Sequence, residues 1–260
     1  MNAAMRTWVG AALAAAALGA QAGRTCENKA PSAVTIDRAL TLAQHTAARL
    51  DDSGAQVVVL ARAGQNLGDY GLRYSHLGFA YREGGAWRVV HKLNQCGTAR
   101  ASIYRQGLGE FFLDDLYEYE AAIVIPTPQV QAALIDTLRD NARLATLHTP
   151  AYNMVAYPWS QTYQQSNQWA LETLAMTQDP IAARSREQAQ AWLRVKGYTP
   201  STLHIPALKR LGARLTAANI AFDDHPNEKR FTDRIETVTV DSVFAWLNHS
   251  GLGGTVQVIR

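Results

Sequence analysis

Cysteine is scarce in this chain: Cys26 and Cys96 are the only two. That excludes a disulfide-dense scaffold and leaves the fold to a hydrophobic core. Long apolar runs are missing too. After the N-terminal leader no stretch approaches the roughly 20 residues that cross a bilayer. Charge of one sign is not in excess, with 25 Lys and Arg against 22 Asp and Glu and a net charge of +3. The basic residues are scattered, so no nucleic-acid footprint is present. There is no phosphate-cradling glycine loop, Gly-x-Ser-x-Gly elbow or His-Glu-x-x-His helix, and no internal repeat. No cofactor is expected.

What is present begins with an export signal. Arg6 supplies a positive start, Val9 to Leu18 an alanine-rich apolar run, and Ala20-Gln21-Ala22 a small-x-small cleavage site. The leader is expected to be residues 1–22, with Gly23 opening the mature chain and a periplasmic or secreted destination. Gly-Arg-Thr before Cys26 argues against a lipid anchor there. In an oxidising compartment Cys26 and Cys96 are expected to pair; a reactive Cys96 thiol is the alternative.

Residues 23–260 are expected to form a single α+β domain with a core over about 57–176 and a C-terminal helical elaboration over 184–260. A helix capped by Thr35 is read over Ile36–Leu50. Val57–Leu60 reads as a buried strand. His76–Tyr81 and Trp87–Leu93 flank Glu83-Gly84-Gly85 as a hairpin. A short helix is expected within Gly107–Leu116, a strand at Ala121–Ile125 and an amphipathic helix over Gln129–Leu147. Pro150–Tyr163 reads as irregular. A helix over Tyr163–Met176 follows, with Thr162 and Gln165 as a capping box. Helices at Ser185–Val195 and Pro206–Ala218, a strand at Glu236–Val240, a short helix capped by Asp241 and a strand at Thr255–Ile259 complete the chain. Strands early and helices late argue α+β.

The hairpin carries the first candidate site. With Gly84-Gly85 as the turn, Gly78 stands opposite His91 and His76 is its diagonal neighbour; with Glu83-Gly84, His76 is opposite His91. Either way both imidazoles share a face with the small residues Gly78 and Ala80, while Leu77, Phe79 and Tyr81 point away. The second candidate is Ser166, in the first turn of its helix, with Trp169, Ala170, Thr173 and Leu174 on the same stripe. A helix N-terminus favours a developing anion. No Cys, Asp or Glu completes a zinc spacing around His76 and His91, so no metal is expected. Asp223-Asp224-His225 and the acidic run Asp114, Asp115, Glu118 and Glu120 read as solvated.

Together, Ser75-His76-Leu77-Gly78-Phe79, Val89-Val90-His91 and Gln165-Ser166-Asn167-Gln168-Trp169-Ala170 resemble the permuted NlpC-type peptidases and lecithin–retinol acyltransferase-like proteins. Those families place a histidine strand, a second polar strand and a nucleophile helix in that order, over about Val57 to Met176 here. The whole chain also resembles a family of secreted bacterial proteins of unknown function. The NlpC resemblance implies a permuted papain-like core in which Ser166 attacks an amide or ester, His76 is the base and His91 orients it. The implied ligands are cell-envelope peptides or acyl lipids. Serine stands where the relatives carry cysteine, and a serine hydroxyl forms no resting ion pair with imidazole. The competing expectation is therefore an inactive envelope binding or interaction protein using the same cleft.

Overall fold

In the computed structural model, which describes residues 30–114 and 116–260, the chain is a mixed α+β structure. The leader, Cys26 and Asp115 lie outside the described residues. The helix α1 (Ala33–Asp52) leads into β1 (Val57–Arg62), β2 (His76–Glu83), β3 (Ala86–Asn94) and β4 (Ala101–Gly107). Next come α2 (Leu108–Phe112), β5 (Ala121–Val124), α3 (Pro128–Arg139), α4 (Asn141–Ala145) and α5 (Ser166–Gln178). The last part holds α6 (Arg186–Val195), β6 (Ser201–His204), α7 (Ala207–Thr216), α8 (Asn227–Arg230), β7 (Arg234–Thr237), α9 (Val240–His249) and β8 (Gln257–Ile259).

Six strands form one antiparallel sheet in the order β4-β3-β2-β1-β5-β8. Helices cover both of its faces. Val57, Val59, Ala61, Leu77, Phe79, Tyr81 and Val90 point into one core with residues of α3, α5, α6 and α9. Val58, Leu60, Ala80, Trp87 and Val89 point into a second core with residues of α1 and α2. Side chains alternate along a strand, so one residue of slip exchanges the two cores. Burial on both faces explains why Val57-Val58-Val59-Leu60 reads as an unbroken apolar run. β6 and β7 pair as a separate ribbon, with α7 and α8 between them in the chain and a third small core.

Several expectations shift. Ser32 caps α1, not Thr35. The helix expected over Gln129–Leu147 is broken at Asp140, whose carboxylate caps α4. The helix expected from Tyr163 begins at Ser166, and Gln165 at its cap makes no capping bond. Thr239, not Asp241, caps α9 through a box with Ser242. β4 and β6 were not foreseen: both are short and polar, and β4 lies at the sheet edge, where apolar alternation is not required. Ala189, Leu193, Trp246 and Leu247 belong to the main core, and β8 is a strand of the main sheet.

α5 is buried on all sides from Ser166 to Ala175. At its centre the Glu172 carboxylate accepts hydrogen bonds from Arg186 Nε (2.8 Å), Gln190 Nε2 (2.7 Å) and Gln164 Nε2 (2.5 Å). Arg186 also donates to the carbonyls of Ser160 (3.2 Å), Gln161 (3.2 Å) and Tyr163 (2.9 Å). This network fixes the irregular segment before α5, whose backbone carbonyls at Ser160, Gln161 and Tyr163 take side-chain donors.

Glu172→Gln leaves Arg186 buried without its countercharge and is expected to cost about 3 kcal/mol in urea unfolding. Removing Arg186 as well should not restore stability, because three loop carbonyls then lose their donor. Recovery in the double variant would show that the pair acts alone.

Candidate functional site

The hairpin turn is Gly84-Gly85, with Glu83 paired to Ala86 and both glycines at positive φ. The register ends at Phe79 opposite Val90, which brings Gly78 against His91. A Cβ on Gly78 would lie 2.8 Å from His91 Cβ and 2.9 Å from the Val90 carbonyl oxygen, so only glycine fits without displacing the imidazole. His76 and His91 are brought together as expected. His76 Nε2 and His91 Nδ1 are 2.8 Å apart, and His91 Nε2 is 2.7 Å from Gln106 Oε1 on β4.

The direction of this chain follows from its end. Gln106 Nε2 donates to Glu110 Oε1 at 2.9 Å, which turns Gln106 Oε1 toward His91. An amide oxygen only accepts, so His91 carries its proton on Nε2 and accepts at Nδ1. His76 then donates from Nε2, leaving its Nδ1 as an acceptor. Donation thus runs from His76 through His91 and Gln106 to Glu110. Phe111 lies beside both rings, with centroids 6.0 Å from His76 and 5.1 Å from His91. Arg62, directly across from His76, bonds the Phe111 carbonyl and the Asp114 carboxylate. Burial, then Arg62, then His91 hold His76 well below the ordinary imidazole range. Burial and then Arg62 push His91 down to about 3. Both rings are neutral at pH 7. The chain ends at a small cleft of about 190 Å³ lined by Leu93, Gln106, Glu110, Leu113 and Asp114.

Ser166 is not part of this arrangement. His76 and His91 lie on the face of α1 and α2, beside Phe111, whereas α5 packs on the opposite face against Leu77, Phe79 and Val90. Burial raises the Tyr152 phenol, and the nearby Ser166 side chain opposes that shift. The strand alternation that unites the imidazoles turns both toward Phe111 and the α1–α2 side of the sheet, while the body of α5 packs on the other side. In the first turn of α5, Asn167 meets the sheet backbone: its Oδ1 accepts from Leu77 N at 3.1 Å.

Other polar groups read as solvated prove buried. Glu120 accepts from Tyr74 Oη (2.6 Å), Arg73 Nη2 (2.8 Å) and Arg260 Nε (2.7 Å), joining a loop to the last residue of the chain. Burial raises its carboxyl, and these three donors outweigh it and hold it below the usual range. His225 has Nδ1 3.1 Å from Asp224 and Nε2 2.9 Å from the Glu236 carbonyl, and both side chains are wholly buried. Lys92 is buried on the α5 face, where Nζ donates to the Thr149 carbonyl and Gln164 Oε1, each at 2.7 Å. Burial and then Arg186 push it down to about 7, against Glu172. Cys96 is not a free thiol. Its expected pairing with Cys26 falls on a residue outside the described part of the chain. Among the described residues no helix is long and apolar enough to cross a membrane, and no group of three or more His, Cys, Asp or Glu is placed to hold a metal.

Residues 49–247 match the family described as "Uncharacterized protein conserved in bacteria (DUF2145)". The chain belongs to the DUF2145 family. Neither a curated protein nor a solved structure matches it. In this DUF2145 member, sequence reasoning found both histidines but missed Arg62, Gln106, Glu110 and Phe111. Arg62 had a signal, a cation closing the apolar run from Val57 to Ala61. Gln106 had none, because it sits on the unforeseen β4.

The pH dependence follows from the depressed imidazoles. His91 stays neutral in the fold down to about pH 3, while the unfolded chain takes up its proton near 6.5. Its stabilising contribution is therefore complete above about 6.5 and is lost as pH falls from there toward 3, at up to about 1.4 kcal/mol per pH unit. His76 acts in the same direction. Urea midpoints should fall from pH 7 to pH 4, and less steeply in His91→Gln; parallel slopes would remove His91 as the cause. Gly78→Ala should cost about 1–3 kcal/mol through displacement of the ring, and an unchanged midpoint would contradict the tight approach.

Proposed function

We propose that this DUF2145 member is a non-catalytic binding protein of the cell envelope, exported by its leader to the periplasm or beyond and bridged between Cys26 and Cys96. The observation that supports the proposal is the hydrogen-bonded relay itself, in which His76 and His91 are engaged with each other and with Gln106 beside Phe111. A general base also works best with a pKa near the working pH. Two imidazoles held neutral by burial and Arg62 suit hydrogen bonding better than proton transfer. The cleft at the end of the relay offers the Glu110 carboxylate beside Leu93 and Leu113, a combination that suits an amine-bearing envelope peptide better than an acyl lipid.

A hydrolase or acyltransferase with Ser166 as nucleophile, on a permuted papain-like core, is the second reading. It is favoured by the bond from Leu77 N to Asn167, which seats the first turn of α5 against the start of the histidine strand.

The two readings separate in one set of assays. A fluorophosphonate probe and p-nitrophenyl esters should give no labelling or turnover beyond that of Ser166→Ala. Calorimetric titration with purified peptidoglycan stem peptides should give binding that Glu110→Gln weakens about tenfold without lowering the melting temperature. Ser166-dependent labelling or turnover would establish the hydrolase reading, and absence of peptide binding would sink the binding one.

A further inference from the structure

The β6–β7 ribbon and the helices between its strands carry a feature the cleft does not use. α7 has Leu208 and Leu211 one turn apart, 80% and 56% exposed, while its buried side contributes the small residue Ala213 to the local core. Leu208 and Leu211 thus face outward. Phe231, 74% exposed, belongs to the same surface: Arg210 of α7 donates to the Arg230 carbonyl at 2.6 Å, and Phe231 is the next residue. An outward-facing apolar ridge of this kind marks a contact surface.

The charge around the ridge indicates what covers it. α7 carries Lys209, Arg210 and Arg214 and no acidic residue. Arg230 lies over the Phe231 ring at 5.5 Å, and Arg214 and Arg234 form no salt bridge with any described residue. Two nearby carboxylates already have partners, Asp69 with Lys209 and Asp233 with His204, while Glu228 remains in the first turn of α8. Exposed leucine and phenylalanine flanked by arginine and lysine match a bilayer interface, where apolar side chains enter the acyl boundary and cations meet anionic headgroups. We infer that Leu208, Leu211 and Phe231, with Arg214, Arg230 and Arg234, dock this protein onto the surface of an anionic phospholipid membrane.

The test is co-sedimentation of the full mature chain with vesicles of phosphatidylglycerol and phosphatidylethanolamine, beside vesicles of phosphatidylcholine alone. Binding to the anionic vesicles only is expected, reduced at least about tenfold by Leu208→Asp with Phe231→Asp, and also by Arg214→Glu with Arg234→Glu. Circular dichroism melting confirms that each variant is folded. Phe231→Trp, should the charge variants misfold, is expected to show added tryptophan quenching by brominated anionic lipid. No sedimentation, equal sedimentation with phosphatidylcholine, or binding indifferent to both double variants overturns the inference. So does a wild-type dimer that the Leu208 and Phe231 changes convert to monomer, which would make a second copy the occupant. Neither stem-peptide binding nor Ser166 chemistry enters these readouts.

Discussion

The carboxylate of Glu172 is the group on which the arrangement of the α5 face depends. It sits on α5 where α6 and the irregular chain before α5 converge, and it is bonded by donors from both. A buried carboxylate without such donors would cost several kcal/mol. Here each donor also reaches elsewhere: Arg186 to three loop carbonyls, Gln190 to Ser160, and Gln164 to the Leu147 carbonyl. Gln164 in turn accepts from Lys92, which ties the network to β3. A segment with no regular secondary structure of its own is thereby held in one conformation, and α5 is held against one face of the sheet.

The sheet then decides what chemistry each face can do. In this register residues 76 and 91 share one face and residues 77, 90 and 92 the other, so the hairpin sends two imidazoles to the α2 side and Lys92 to the α5 side. A nucleophile helix packed on the α5 side meets leucine, phenylalanine and valine, not histidine. The order of motifs along the chain, which carries the likeness to permuted NlpC-type enzymes, is indifferent to this parity. Order alone therefore does not assemble a catalytic pair.

Much of the framework was legible because local chemistry dictated it. The glycine-bearing turn at Glu83-Gly84-Gly85 and the apolar run at Val57 each appear as a residue type with one structural use. The shared face of His76 and His91 followed from period two alone. The side of the sheet taken by α5 did not, because a helix buried all round has no polar face to orient it. Glu120, Asp224 and His225 read as solvated because their partners lie far away in the chain: Arg260 is 140 residues from Glu120, and the Glu236 carbonyl is 11 from His225. Long-range partners of polar groups leave no local pattern.

The phrase from Tyr163 to Trp169 has a structural explanation on these terms. Gln164 serves Glu172; Gln165 Nε2 donates to Thr237 Oγ1 and the Val238 carbonyl, each at 2.7 Å. Asn167 takes the Leu77 amide, Gln168 donates to the Pro158 carbonyl at 3.1 Å, and Trp169 fills the core against Phe79. Four of these side chains are amides, each able to donate and accept, in a turn that must join two strands, a loop and a helix at once. Buried polar groups are costly unless all are paired, so such a turn tolerates little change whatever its chemistry. Ser166 sits among these amides, buried like them. The packing of this turn therefore constrains the phrase independently of any chemistry it performs.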